Sequence, residues 1–193
     1  SEQYSNKIRL PLIVRTTPRH ITREKLAALK KAGLAIVMIG LQSGSDTINK
    51  TIYKRDVTSK QFLDATNLFK DAGLCGYYDI ILDNPYESEE DILETLRVIL
   101  QIPKPFHFQL FSLCLYQGTE LHKRAIQDCV SFTDPRIDDN ERPSSTTLNK
   151  LIHMTPTVPA PVIRYFIRNR NNRLVIAVII LFDSLNTIIL QPL

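Results

Sequence analysis

The chain has 193 residues, of which 44% are hydrophobic and 23% charged, an ordinary globular make-up that excludes disorder as the starting assumption. A net charge of +4 is too mild to point to nucleic acid by itself. Cys75, Cys114 and Cys129 are odd in number and widely spaced; they fit reduced thiols in a cytoplasmic protein better than a disulfide framework, and the first residues show no secretory or organelle leader.

In chain order, residues 8–15 read as a strand in which Pro11 weakens the pairing. Thr22 caps a helix over 23–32, and Gly33 supplies its left-handed stop. The apolar run 35–39 fits a strand buried on both faces, as in a parallel sheet. Thr58 with Gln61 forms a capping box. Phe62, Ala65, Leu68, Phe69 and Ala72 mark the apolar stripe of the helix that follows. Gly73 closes that helix, and 77–82 is the next strand. The two helix ends match, Leu29-Lys30-Lys31-Ala32-Gly33-Leu34 against Phe69-Lys70-Asp71-Ala72-Gly73-Leu74, at an offset of 40 residues. A repeat of one helix, one strand and their loops points to a wound βα array.

A third round opens at Ser88-Glu89-Glu90-Asp91, where acids meet the positive end of a helix dipole. Ile92, Leu93, Leu96, Ile99 and Leu100 form its buried face, and 106–113 is a strand. A short helix over 120–126 follows Gly118-Thr119. The fold class expected is α/β: about four parallel strands with outer helices, curved as in a partial TIM-like barrel, plus a mainly helical C-terminal extension. The organisation expected is a partial barrel over residues 1–127, a linker over 128–147 and an extension over 148–193. Ser145 or Thr146, at the end of that linker, caps a helix to His153, and a further helix runs over 161–169. The apolar run 174–182 is broken by Asp183, Ser184 and Asn186; it is too short to span a bilayer and reads as a buried helix or strand, so no membrane anchor is expected.

Parallel βα arrays bind ligands at the C-terminal ends of their strands. That rule selects Arg15 with Thr16, then Gln42-Ser43-Gly44-Ser45, then Asp83-Asn84-Pro85, then Gln109 with Ser112. The second group offers an amide and two hydroxyls, suited to sugar hydroxyls or a carboxylate, although turn chemistry with Ser45 or Asp46 as N-cap also accounts for it.

Ile39-Gly40-Leu41-Gln42-Ser43-Gly44-Ser45-Asp46 resembles the loop after the fourth barrel strand of radical S-adenosylmethionine (radical SAM) enzymes of the methylthiotransferase and cobalamin-binding type, with Lys54-Arg55 similar to the basic pair that follows it there. Tyr78-Asp79-Ile80-Ile81-Leu82-Asp83-Asn84-Pro85-Tyr86-Glu87-Ser88 resembles the fifth-strand motif. Leu115-Tyr116-Gln117-Gly118-Thr119-Glu120-Leu121 is similar to the sixth-strand exit. The three segments occur in the family's order.

The resemblance implies that the chain is the C-terminal half of such a barrel. Gln42 and Ser43 would face the ribose or methionyl part of S-adenosylmethionine. Arg55 would bond its carboxylate or brace the loop. Asp83 and Asn84 would lie near the adenine or the substrate, and Gln109 and Leu110 would meet the adenine edge, largely through backbone. It also implies a 4Fe-4S cluster in the full-length protein, with cobalamin left open as a further cofactor. The sequence departs from the pattern at Asp83, Asn84, Tyr86 and Gln117.

The family's cluster motif, three cysteines within one short loop, is missing, since the cysteines here are 39 and 15 positions apart. The expectation is therefore a chain that binds no cluster and catalyses nothing alone, with no catalytic residue and no metal ligand assigned. The missing barrel half or a partner chain would complete it.

The alternatives are a non-catalytic barrel-half interaction module, or another βα-barrel enzyme, for which the phosphate loop is wanting. Asp79 and Asp83, four apart on a strand, would share a face and suit acid/base or magnesium chemistry, or serve as satisfied strand-end residues. His20, His107, His122 and His153 lack metal-ligand spacing. Arg164, Arg168, Arg170 and Arg173 with Tyr165 and Phe166 could meet RNA; a solvated helix face explains them better.

Overall fold

A computed structural model describes residues 2–8, 10–130 and 143–190. Helix α1 (Glu2–Lys7), which the sequence patterns did not suggest, precedes strand β1 (Leu12–Thr16). β1 starts later than residue 8 because Pro11 has no N–H to donate; the ladder begins at Leu12, whose N–H bonds the Gly33 carbonyl at 2.9 Å. A short 3-10 turn (Pro18–His20) leads to α2 (Arg23–Lys31), capped by Thr22 as expected. Then come β2 (Leu34–Gln42), α3 (Asp46–Thr51), α4 (Ser59–Asp71), β3 (Gly76–Leu82), α5 (Glu89–Ile99), β4 (Phe106–Ser112) and α6 (Glu120–Gln127). The strands form one sheet in the order β1-β2-β3-β4, every pair parallel and every connection passing through a helix.

Helix starts carry their own sequence reasons. Thr58 with Gln61 and Ser88 with Asp91 close capping boxes at α4 and α5, and Ser45 caps α3. Alternate strand residues then meet the helices. Val37, Ile39 and Leu41 of β2 and Tyr78, Ile80 and Leu82 of β3 bury themselves against Leu26 of α2, Phe62 and Phe69 of α4 and Leu96 of α5. Tyr78 meets the Phe62 ring edge-on at 5.1 Å and stacks on Phe69 at 6.5 Å.

The opposite, inner face of the sheet is not closed over. Ile13 stays 59% exposed and Phe111 44%, with Ile36 and Met38 of β2 half-buried. The apolar run of β2 is thus covered by helices on one face, rather than on both as its pattern suggests, because four strands curl without closing.

The C-terminal region is helical: α7 (Thr147–Met154), α8 (Ala160–Arg168) and α9 (Arg173–Leu190). Thr146 is the N-cap of α7. Leu151, Ile152 and Met154 of α7, Ile163 and Phe166 of α8 and Ile179 of α9 join the same core as the barrel helices. Arg170 pairs with Glu89 at the start of α5, so one of the four arginines of the basic cluster is committed to structure. α9 fulfils the helix alternative for the apolar run but is not simply buried: Ile179 is 0% exposed while Leu174 is 79% and Leu181 59%. Among the described residues no helix is long and apolar enough to cross a membrane. Residues 131–142 of the expected linker lie outside the described residues.

Candidate functional site

Register puts Gly40, Asp79 and Gln109 side by side on β2, β3 and β4, near the exit of β2 and midway along β3 and β4. Arg15, opposite Met38 on β1, extends over the inner face: its Nη2 donates to Gln109 Oε1 at 2.9 Å and lies 3.8 Å from Asp79 Oδ2. β1 and β4 are the two outer strands, roughly 14 Å apart in a flat sheet, so this contact requires the sheet to curl. The curl makes a shared hollow out of inner-face residues that are far apart in sequence.

The floor of the hollow is Gly40. A Cβ there would lie 2.2 Å from Gln42 Nε2 and 3.3 Å from Arg55 Nη1, so a side chain at this position would displace the ends of both. β2 pairs irregularly with β3 between Gly40 and Gln42, and Gln42 leaves the strand at φ 65° with its side chain folded over the glycine. Arg55 Nη2 donates to the Gly40 carbonyl at 3.2 Å. Two polar atoms here are buried and unsatisfied, Arg55 Nη1 and Asp79 Oδ1. Burial pushes the Asp79 carboxyl up against the pull of Arg15 and Arg55, and burial likewise lowers Arg55. A guanidinium still holds its proton at neutral pH, so the hollow presents cationic groups beside one buried carboxylate.

The other residues singled out from the sequence stand just behind this face. Ser43 is fully buried; its Oγ lies 3.4 Å from Thr95 Oγ1 and accepts from the Ser45 N–H at 3.2 Å. Gly44 lets that loop touch α5, since a Cβ would fall 2.3 Å from Thr95 Cα. Asn84 donates to the Tyr53 hydroxyl at 3.1 Å and accepts from the Tyr86 N–H at 3.0 Å. Asp83, at φ 56°, turns out of the strand. It accepts from Ser112 Oγ at 2.9 Å, the Ser144 N–H at 2.7 Å, Asn149 Nδ2 at 2.8 Å and Ser144 Oγ. It therefore does not share surroundings with Asp79, although four-residue spacing on a strand suggests that it should. Leu110 packs its side chain half-buried against the core.

Gln42, Arg55 and Gln109 are thus brought together, while Ser43, Asp83 and Asn84 have their polar atoms engaged by protein groups. Arg15 and Asp79 complete the hollow. Arg15 was visible as a strand-end residue and Asp79 as a polar residue in a buried strand, but nothing in the sequence joins them. A separate cleft of about 310 Å³ opens between Tyr53, Lys54, Cys114 and Tyr116, with Lys54 Nζ 3.6 Å from Glu120 Oε1.

The sequence model of the Radical SAM superfamily matches residues 2–99, half of the chain. The chain belongs to the radical SAM superfamily. Solved structures of radical SAM enzymes share its fold. Coproporphyrinogen III oxidase (HemN) from Escherichia coli is 17% identical with a TM-score of 0.52, over 62% of this chain and 27% of that one. The radical SAM methyltransferase TsrM from Kitasatospora setae, solved with cobalamin and a [4Fe-4S] cluster bound, is 19% identical with a TM-score of 0.54, over 65% and 25%. Elp3 from Methanocaldococcus infernus, with an N-terminal deletion, is 25% identical with a TM-score of 0.52, over 62% and 28%. The chain spans about a quarter of the length of these solved chains. A search of curated proteins finds none that matches.

The family's cluster does not fit the residues described here. Cys75 precedes β3 and Cys114 follows β4, so they sit at opposite ends of a parallel sheet, roughly 20 Å apart. Cys129 lies beyond α6, and none of the three is joined in a disulfide. Among the described residues no three His, Cys, Asp or Glu side chains could hold a metal together.

Proposed function

We propose that this chain supplies the S-adenosylmethionine ribose and adenine side of a radical SAM enzyme, and that the cluster ligands lie in the missing N-terminal barrel half or in a partner chain. The enzyme's reaction would be reductive cleavage of S-adenosylmethionine to a 5′-deoxyadenosyl radical, the electron coming from a 4Fe-4S cluster. Cobalamin stays open as a further cofactor of the whole protein. On this reading the chain divides into the partial barrel of residues 1–127, the linker 128–147 and the extension 148–193, and it is inactive alone.

The observation that carries the reading is the pair of buried, unsatisfied atoms over Gly40. Arg55 Nη1 is a free donor and Asp79 Oδ1 a free acceptor. A ligand bearing both a carboxylate and hydroxyl or amino donors would satisfy each, and leaving such groups unmatched is costly. Arg55 would hold the carboxylate, with Gln42 and Gln109 completing the polar wall. Ser43, Asp83 and Asn84 would set the loops that carry them. The exposed inner-face residues Ile13 and Phe111 suit a sheet that further strands cover.

The test is direct binding of S-adenosylmethionine by calorimetry. The chain is expected to bind it, and Arg55→Ala and Asp79→Asn to weaken binding at least about tenfold each. Unchanged affinity in both variants would overturn the assignment. With S-adenosylmethionine and dithionite the isolated chain is expected to release no 5′-deoxyadenosine, and turnover would refute its dependence on the rest of the barrel.

A further inference from the structure

α9 is apolar round most of its circumference yet covered on one side only. Val175, Ile179 and Asn186 face inward, and Asp183 bonds His153 of α7 at 2.7 Å. Leu174, Val178, Leu181 and Leu185 face away and are 79, 40, 59 and 50% exposed. Their spacing of four, three and four residues confines them to roughly a 60° sector of the helix. That is the spacing of a two-stranded coiled-coil seam, and in sequence it continues to Ile188.

We infer that this seam pairs with the same seam of a second copy of the chain, antiparallel about a twofold axis between Val178 and Leu181. Leu174 of each copy then meets Leu185 of the other, and Val178 meets Leu181, so the patch is complementary to itself. The seam carries no charge. Of the two charged residues of α9, Asp183 is already held by His153 and Lys150. Arg173 stands at the positive end of its own helix dipole, and antiparallel pairing sets it beside the negative end of its partner's helix, whereas parallel pairing would bring two Arg173 together. Doubled across the axis, the exposed area of three leucines, one valine and the rim of Phe182 comes to about 1,000 Å² at full burial, the lower bound of a specific interface. A lipid surface fits less well, because interfacial helices carry several Lys or Arg on their polar face and α9 has one basic residue.

Sedimentation of the full chain over a wide concentration range tests the pairing. The wild type is expected to show a monomer–dimer equilibrium, and Leu181→Lys to raise its dissociation constant at least about tenfold. Ile180→Lys, also on the exposed side but off the seam, is expected to leave it unchanged; circular dichroism checks that both variants stay folded. Mixed copies bearing Leu174→Cys and Leu185→Cys are expected to cross-link to one another. A chain that is monomeric throughout, equal effects of the two lysine variants, or a dimer indifferent to Leu181→Lys would each overturn the proposal. So would cosedimentation with phosphatidylglycerol vesicles in place of self-association.

Discussion

Gly40, in β2, and Gly44, in the loop that follows it, lie four residues apart, yet the structure uses them differently. A methyl group at Gly44 would press on the Thr95 backbone of α5, and a helix cannot give way cheaply. A methyl at Gly40 meets the far end of the Gln42 side chain, which can swing aside. Gly44→Ala is therefore expected to cost about 1–3 kcal/mol in a urea melt and Gly40→Ala less than about 1 kcal/mol. If the proposed S-adenosylmethionine site holds, Gly40→Ala should instead weaken binding there, because the displaced amide invades the hollow. Glu87 is a second residue with a measurable signature. Burial pushes its carboxyl up to about 7, with Asp91 adding to the rise and a hydrogen bond with Ser43 opposing it. The folded chain then holds a proton that the unfolded chain loses near its ordinary value of 4.5. This residue's contribution accordingly falls as pH rises from about 4.5 to about 7 and is level above that. The stability difference between wild type and Glu87→Gln is expected to change across that window, by no more than a few kcal/mol, and to be flat above it.

Among the elements, α7 is tied to the β3 exit through one carboxylate. Its own sequence supplies the Thr146 cap and the apolar residues Leu148, Leu151 and Ile152, enough to make a helix with a buried face. Asp83 supplies the address, because Ser144 and Asn149 bond it at the β3 exit. Burial alone would raise this carboxyl, and the bonds from Ser144, Ser112 and Asn149 together outweigh it and hold it below its usual range. Its stabilisation is complete above the ordinary value of 3.8 and is lost as pH falls through and below that value. Asp83→Ala is expected to cost about 2–4 kcal/mol and to speed amide exchange throughout residues 147–154. Unaltered exchange there would show that apolar packing alone seats the helix.

At the scale of the whole molecule, the barrel is open and its inner wall is half apolar. Ile13 and Phe111 are exposed on the same face that holds Arg15 and Gln109. A hydrophobic fluorescent dye is expected to bind the wild-type chain, and Phe111→Ser to reduce its signal without lowering the melting temperature, since an exposed side chain contributes little to the fold. Undiminished dye binding would locate the accessible apolar surface elsewhere, with the outer seam of α9 the next candidate.

The alternation of helices and strands was legible from local chemistry. Thr22, Thr58 and Ser88 announce helix starts, Gly33 and Gly73 announce stops, and the 40-residue echo between them announces a winding βα order. Those signals lie within a few residues of the structure they specify, which is why a single sequence carries them. The motifs around Gln42, Asp83 and Gly118 likewise pointed to the radical SAM superfamily, because a family's loops keep their residue types in order along the chain. The residues that meet in the hollow were decided only by the curl of the sheet. Arg15 and Gln109 are 94 positions apart and touch because β1 and β4 bend toward each other. The same holds for Asp83, whose partner Asn149 is 66 positions away. Contacts across such separations depend on where the intervening elements pack, and no local pattern records that.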